Sequence, residues 1–556
     1  MYYAQLEDRL RRQNIVGRAQ LNLPPVQGSR ASTIEDAAKC IEVSKQPRVT
    51  MADWVDLAAK RNPIAASTED IARAEPPTSI ADQFAPVSSL LVIKNGWLTI
   101  DGTVLAGGQM GVPWWNGSIR PADLTKASSA LTRFVPGRIG TGLTDDLNEV
   151  VKRMIERGTV AVYQHPPLWY ERRRDDHERV RRLDGDVVAP FYETPWERTG
   201  VGSASDGLSK WDITKPNKWY FARLRQFADL GARNGLILFN GLYMQHNVLE
   251  AGAHYADAPW RPANNINPVG IPEPVFFAGD KLIYVAEQFY DVSNPERAAL
   301  HRAYMRAALN ELADKPNVIF YLSEEYTGPL AFTQFWLDTV AQWSAETGKH
   351  PTIALYAPKD VTDAILSDPK RAAVVSLIYN SFDPGNAGFW IQPSGKWYAP
   401  EGGKNLAPRQ WIRQLQPKSP GFDQVYQVIR EYRTKYPDKP FVYDGSNELA
   451  WAVLMGGGSM PKLPKTTDRE FLKAVAAMKP GEVGTSLVAD DGSMVVYVGK
   501  NGGPSPAMKP GPYEARVVHL KDGTLGPATR IDDTSKPTAV LTDGSPSIIW
   551  YRKLEK

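Results

Sequence analysis

The sequence predicts an α/β protein: a (β/α)8 TIM barrel with a C-terminal antiparallel β-sandwich and an N-terminal extension. Three observations carry that prediction. From about residue 90, short apolar runs alternate with amphipathic stretches, the pattern of a parallel sheet covered by helices. Eight such units fit before residue 480, the number this barrel needs. From 481 the pattern changes to short alternating runs separated by Asp-Gly turns, which marks an antiparallel unit. The expected division is therefore 1–88 (extension), 89–480 (barrel) and 481–556 (sandwich).

Residues 1–88 hold short helical stretches between Pro- and Ser-rich pieces, and no chemistry is visible in them. The barrel opens with 90–93 and 96–100, which lead through the Asp101-Gly102 turn to a strand over 104–109. A helix over 144–157, with a Thr cap followed by acids, precedes a strand over 159–164. A helix over 218–234 leads to the strand 236–243, and a helix over 295–313, opened by proline, leads to the strand 318–322. Then come helix 330–347, strand 352–356, helix 361–367 and strand 374–379. Helices over 408–415 and 424–435 precede the strand 440–443, and helix 447–455 precedes a last strand over 457–460. In the C-terminal unit, strands are expected over 484–489, 493–498, 513–519, 538–541 and 547–551. No G-x-G-x-x-G or Walker-type loop follows any strand, which argues against an open nucleotide-binding sheet.

Composition removes several function classes. With 65 basic and 62 acidic residues the net charge is +3, without the concentrated basic face that nucleic-acid binding needs. The densest basic run, Arg172-Arg173-Arg174, is interleaved with acids and reads as an ion-pair network. One cysteine, Cys40, excludes an intrachain disulfide and a thiolate zinc site. Asp175-Asp176-His177 lacks a spaced partner set for a metal, so neither metal nor cofactor is expected. No apolar run is long enough to span a membrane. The polar first residues lack a signal-peptide core, so the protein is either periplasmic or secreted, with a signal outside this chain, or cytoplasmic, and the sequence does not separate these.

In a parallel barrel the active site lies at the carboxyl ends of the strands. The fourth strand runs into Ser323-Glu324-Glu325-Tyr326, and the seventh into Asp444-Gly445-Ser446-Asn447-Glu448. Glycosidic cleavage usually needs two carboxyl groups flanking the bond, one to protonate the leaving oxygen and one to attack or to activate water. Acids at these positions also cap helices, but two strands carrying them together favours chemistry. Many of the 16 Trp and 23 Tyr fall in polar loops, where flat rings can pack on the C–H faces of sugars. The loops after the second and third strands and the segments that follow supply candidate substrate-binding residues: Trp169, Arg174, Asp176, His177, Gln245, His246, His254, Trp260, Arg261, Asn264 and Glu287. Glu324, Tyr326 and Tyr379, at strand ends, complete the set.

The run Pro316-Asn-Val-Ile-Phe-Tyr-Leu-Ser-Glu-Glu-Tyr326 resembles the fourth-strand motif of clan A glycoside hydrolases. That resemblance implies Glu325 as general acid/base and puts Glu324 where the family has Asn. Lys439-Pro-Phe-Val-Tyr-Asp-Gly445, followed by Ala450-Trp-Ala-Val-Leu-Met-Gly-Gly-Gly-Ser-Met460, is similar to the apiosidase-like glycosidases, as is the lead-in 95–108. It implies a barrel with a C-terminal β-sandwich and an acidic nucleophile after the seventh strand. The family's Asp-Gly-Glu is Asp444-Gly445-Ser446 here, so the nucleophile is Glu448 or Asp444. The expected activity is hydrolysis of a plant or bacterial polysaccharide or oligosaccharide, retaining and exo-acting because the loops are long. Two other readings remain open: a non-catalytic carbohydrate-binding protein, and a polysaccharide lyase.

Overall fold

The computed structural model describes residues 91–111, 131–132, 144–145, 147–166, 194–199, 201–202, 210–245, 248, 258–271, 284–324, 326, 328–357, 359–380, 421–443, 449–499, 507–532, 534 and 545–555. The expected extension (1–88), helix 408–415 and strand 538–541 lie outside these residues.

Two tight turns open the described chain. Strands β1 (Val92–Lys94) and β2 (Trp97–Ile100) are joined by Asn95 and Gly96 at φ 51° and 72°. β2 and β3 (Thr103–Val104) are joined by Asp101 and Gly102 at φ 51° and 68°. Paired positive φ values give the turn twist that matches a hairpin, and Asn-Gly and Asp-Gly adopt them most readily. Val104 therefore belongs to this meander. The first parallel strand, β4 (Gly108–Gly111), starts later than the expected residue 104, after Gly107 turns the chain at φ 151°.

β5 (Leu131–Thr132) pairs with β6 (Thr144–Asp145), so α1 (Leu147–Arg157) starts three residues later than the sequence predicts. β7 (Thr159–Gln164) follows, then the antiparallel pair β8 (Trp196–Arg198) and β9 (Trp211–Pro216). α2 (Lys218–Arg233) leads to β10 (Ile237–Met244). Beyond α3 (Tyr284–Tyr290), α4 (Pro295–Leu312) is capped by the Asn294 side chain, which accepts from the Arg297 N–H. β11 (Val318–Glu324), α5 (Leu330–Thr347) and β12 (Thr352–Tyr356) come next, and Gly348 ends α5 at φ 69°.

α6 (Lys359–Leu366) and α7 (Pro369–Val374) precede β13 (Leu377–Asn380). The expected strand start at 374 is helical because Asp368 caps α7 and Pro369 opens it. α8 (Phe422–Lys435), β14 (Phe441–Tyr443), α9 (Ala450–Gly456) and α10 (Arg469–Val475) complete this part.

Seven strands form one parallel sheet in the order β14-β13-β12-β11-β10-β7-β4. The sheet is curled and barrel-like. In a flat sheet β4 and β13, five places apart, would stand about 24 Å from each other. Instead the Gln109 Nε2 on β4 donates to the Tyr379 hydroxyl on β13 at 2.7 Å. Residues 459–461 reach both edges: Ser459 N–H donates to the Phe441 carbonyl (2.7 Å), Met460 N–H to Leu105 (2.9 Å), and Gly107 N–H to Pro461 (2.9 Å). This stretch makes a single parallel bridge, Val442 to Ser459.

Strand periodicity of two separates two cores. Ala161, Ile237, Phe239, Ile319, Tyr321, Ala354, Tyr356, Leu377 and Val442 face one another inside the curl. Val162, Leu238, Phe320 and Leu355 face outward against Phe221, Met305, Trp336 and Ile429 of the helices. Gly241 on β10 has no side chain because a Cβ there would stand 2.7 Å from Tyr321 Cζ.

The C-terminal residues form one six-stranded antiparallel sheet of β15 (Met478–Pro480), β16 (Ser486–Ala489), β17 (Met494–Val498), β18 (Tyr513–Val518), β19 (Thr529–Ile531) and β20 (Ser547–Lys553), in the order β15-β16-β17-β20-β18-β19. Trp97, Trp451, Phe471 and Trp550 build a shared core between this sheet and the β1–β3 meander, α9 and α10. The Trp97 indole N–H donates to the Met478 carbonyl (2.8 Å) and the Trp451 indole N–H to Leu520 (2.8 Å). No helix among the described residues is long and apolar enough to cross a membrane.

Candidate active site

The carboxyl ends of the parallel strands carry the polar groups of interest. Glu324 is the last residue of β11, and His165 directly follows β7. The two strands flank β10, and His165 Nε2 lies 2.9 Å from Glu324 Oε2. Both side chains are half-buried. His165 Nδ1 lies 2.9 Å from the Pro166 carbonyl, to which it must donate. The ring is therefore fixed from both nitrogens.

The strand ends are latched below this pair. Gln245 N–H, one residue past β10, donates to Ser323 Oγ (2.9 Å), and that hydroxyl donates to the Glu324 carbonyl (3.1 Å). The Tyr321 hydroxyl donates to the Gln164 carbonyl at 3.4 Å. Burial, and next the Glu324 charge, push this phenol well above its ordinary range, so it stays neutral. Gln164, fully buried, donates its amide to Tyr220. At the other end of β11, Asn317 Nδ2 donates to the Ala228 and Leu236 carbonyls (2.9 Å each), which sets the strand's start against β10.

Of the residues expected at the site, the structure brings Glu324 beside His165, Gln245 beneath it, and Tyr379 against Gln109. Tyr379 also contacts the rings of Phe239 and Tyr356, at 5.4 and 4.6 Å between centroids. Tyr326 is fully buried, its hydroxyl donating to Pro329 (2.9 Å) and its ring edge-on to Tyr290 (5.8 Å). Trp260, Arg261 and Asn264 are buried in the loop 258–271. Asn264 Nδ2 donates to the Ala258 carbonyl (2.9 Å), and Trp260 stacks on His301 of α4 (4.4 Å, 17°). Glu287 lies in α3. Glu325, Asp444, Glu448, Trp169, Arg174, Asp176, His177, His246 and His254 lie outside the described residues. Among the described residues no group of three or more His, Cys, Asp or Glu could hold a metal ion.

His165 and Gln109 were not singled out from the sequence. A signal existed: Ala161 and Tyr163 face the interior, and a period of two carries the same face to His165 at the strand's end. The same reading takes β4 to Gln109.

The His301 ring of α4, on which Trp260 stacks, is a buried titratable group. His301 Nε2 donates to the Phe289 carbonyl (2.8 Å), so Nδ1 accepts from the Tyr243 hydroxyl (2.8 Å) and the ring is neutral. Burial, with Arg297 nearby, pushes its pKa from 6.5 down to about 3. The unfolded chain binds the proton first, so this contribution to stability is complete above about pH 6.5 and is lost as pH falls toward 3. We expect His301 to add a slope of up to about 1.4 kcal/mol per pH unit across that window. Urea unfolding at pH 7, 6 and 5 measures the slope, and it should flatten in His301→Gln. Equal slopes in both proteins would refute the assignment.

The family model described as Domain of unknown function (DUF6298) matches residues 1–478. The chain belongs to this DUF6298 family. No curated protein matches the sequence. Among solved structures, the chain is similar to a putative glycoside hydrolase from Bacteroides vulgatus, at 11% identity, 84% coverage of this chain and 83% of that one, and a TM-score of 0.44. It is similar to a family 5 glycoside hydrolase from the same organism, at 9% identity, coverages of 85% and 95%, and a TM-score of 0.43. It is also similar to the family 44 endoglucanase Cel44A from Clostridium thermocellum, at 9% identity, coverages of 84% and 97%, and a TM-score of 0.33.

Proposed function

We propose that this DUF6298 protein is a glycoside hydrolase that cleaves a plant or bacterial polysaccharide or oligosaccharide, exo-acting and retaining. In this reading Glu325 is the general acid/base and Glu448 or Asp444 the nucleophile. One observation carries it. Glu324 of the fourth-strand motif, the residue before Glu325 in sequence, ends β11, the middle strand of the curled parallel sheet, and β/α barrels keep their active sites at that end of their strands. The end of β14 at Tyr443, one residue before Asp444, supports a second carboxylate on the same face. The motif likeness to apiosidase-like glycosidases supports the same pair. We read residues 89–480 as the catalytic barrel, closed by 457–460 as an eighth strand, and 481–556 as an appended β unit whose antiparallel sheet also takes in β15 (Met478–Pro480). A retaining pair requires the two carboxyl groups about 5–5.5 Å apart.

The test is a screen of oligosaccharides from pectin, xylan, β-glucan and bacterial exopolysaccharide, with NMR of the first product formed. Release of a reducing sugar with the substrate's anomeric configuration is expected. Inverted product would remove the retaining mechanism. Product absorbing in the ultraviolet would show an unsaturated uronate and a lyase. Saturable binding without product would leave a carbohydrate-binding protein.

A further inference from the structure

We propose that His165 is a positioning residue that holds Glu324 as an oriented carboxylate at the mouth of the sheet, where it accepts hydroxyl hydrogen bonds from a neutral sugar. This rests on the hydrolase reading for its ligand, but the pair itself does not. Both nitrogens of the ring face acceptors, the Pro166 carbonyl at 2.9 Å and Glu324 Oε2 at 2.9 Å. A carbonyl cannot donate, so Nδ1 carries a proton. One further proton lies between Nε2 and Oε2. Nε2 donates it to Oε2, so the ring carries a proton on each nitrogen and faces a carboxylate.

The geometry decides what such a pair can do. Neither group is deep in the core: the side chains are 21% and 29% exposed. The pair reaches across the end of β10, on the strand end from which the chain enters Glu325. His165 engages Oε2 of Glu324 and orients the carboxylate, whose other oxygen, Oε1, can accept from a ligand. An ionised carboxylate only accepts, so it selects hydroxyl donors. Because the imidazolium balances its charge, the pair as a whole attracts no cation. A uronate carboxylate has no proton to donate to another carboxylate, so the hydroxyl groups of a neutral sugar fit. Charge-assisted hydrogen bonds of this kind are among the stronger polar contacts a site can make. Each is worth most when the acceptor is already held in place.

Two measurements test this on the full chain. The first is a long-range 1H–15N spectrum of protein labelled at its seven histidines, in wild type and Glu324→Gln. One ring protonated on both nitrogens near neutral pH, changing to a single-proton tautomer in Glu324→Gln, is expected. A His165 ring with one proton in both proteins overturns the pair. The second is steady-state kinetics on the oligosaccharide of the pectin, xylan, β-glucan and exopolysaccharide panel that wild type cleaves. His165→Leu should raise KM at least tenfold with kcat changed less than threefold. His165→Gln, whose amide can stand where Nε2 stood, should return KM to within about threefold of wild type. His165→Asn, which can replace only Nδ1, should not. Unchanged KM in His165→Leu overturns the ligand role. Equal loss in the Gln and Leu variants overturns the positioning. Absence of product from wild type on every oligosaccharide overturns the hydrolase reading and the ligand role with it, while the ring spectrum still decides the pair.

Discussion

Glu325→Gln is expected to lower kcat by about 10²–10⁴-fold, the range for removal of a positioned general acid, while leaving the thermal transition unchanged. A carboxamide is nearly isosteric with the acid but cannot protonate a leaving alkoxide. The loss should depend on the leaving group. A sugar alkoxide needs the proton, whereas 4-nitrophenolate departs without it. Aryl glycosides of the accepted sugar should therefore lose far less in the first step than the natural oligosaccharide. A merely destabilising substitution would lower both alike. Retention of most activity on the oligosaccharide would remove Glu325 from the mechanism. The same assay on Asp444→Asn and Glu448→Gln separates the two nucleophile candidates. Loss of the nucleophile should abolish turnover of aryl glycosides and oligosaccharides together, because the bond to the anomeric carbon is then never formed.

Arg433→Ala is expected to destabilise the fold by about 3–5 kcal/mol, among the largest effects open to a single change. Arg433 lies on α8 and is 2% exposed. Its Nη2 donates to the Asn95 carbonyl (2.7 Å), and its Nη1 to Pro437 and to Lys439 (3.3 Å for the latter). It thus binds the first hairpin to the segment that enters β14. Its guanidinium also lies over the Trp97 ring, at 5.8 Å. No carboxylate pairs with it in these contacts, and burial pushes its pKa down to about 10, so it remains charged at neutral pH. Truncation leaves three acceptors without their donor and opens a cavity beside Trp97; each orphaned buried acceptor costs about 1–3 kcal/mol before relaxation. Gly96 shows how closely the site is filled, since a Cβ there would fall 1.7 Å from Arg433 Nη1. Arg433→Lys should recover only part of the loss, because an ammonium cannot reproduce the fork. Equilibrium urea unfolding measures both variants. A change below about 1 kcal/mol for Arg433→Ala would mean that the hairpin is held by other contacts.

Local pattern determined much of this protein. Strand Thr159–Gln164, helix Leu330–Thr347 and strand Thr352–Tyr356 fall on the residues the periodicity predicts, because each buries a face that its own spacing defines. Errors lie where two local signals compete. Val104 is apolar enough for the first parallel strand, yet the Asp101-Gly102 turn holds it in a hairpin. Residue 374 reads as strand, yet Asp368 and Pro369 start a helix through it. Of the candidate site, the chain order made Glu324 legible as a strand-end acid. It did not make His165 legible as its partner. These residues are 159 positions apart, and only the parallel pairing of β7 and β11 on either side of β10 sets them 2.9 Å apart. The Gln109–Tyr379 contact has the same origin, since it exists only because the sheet curls. Periodicity says which face of a strand is buried. It does not say which other strand that face will meet, and the meeting is decided by strand order, twist and closure.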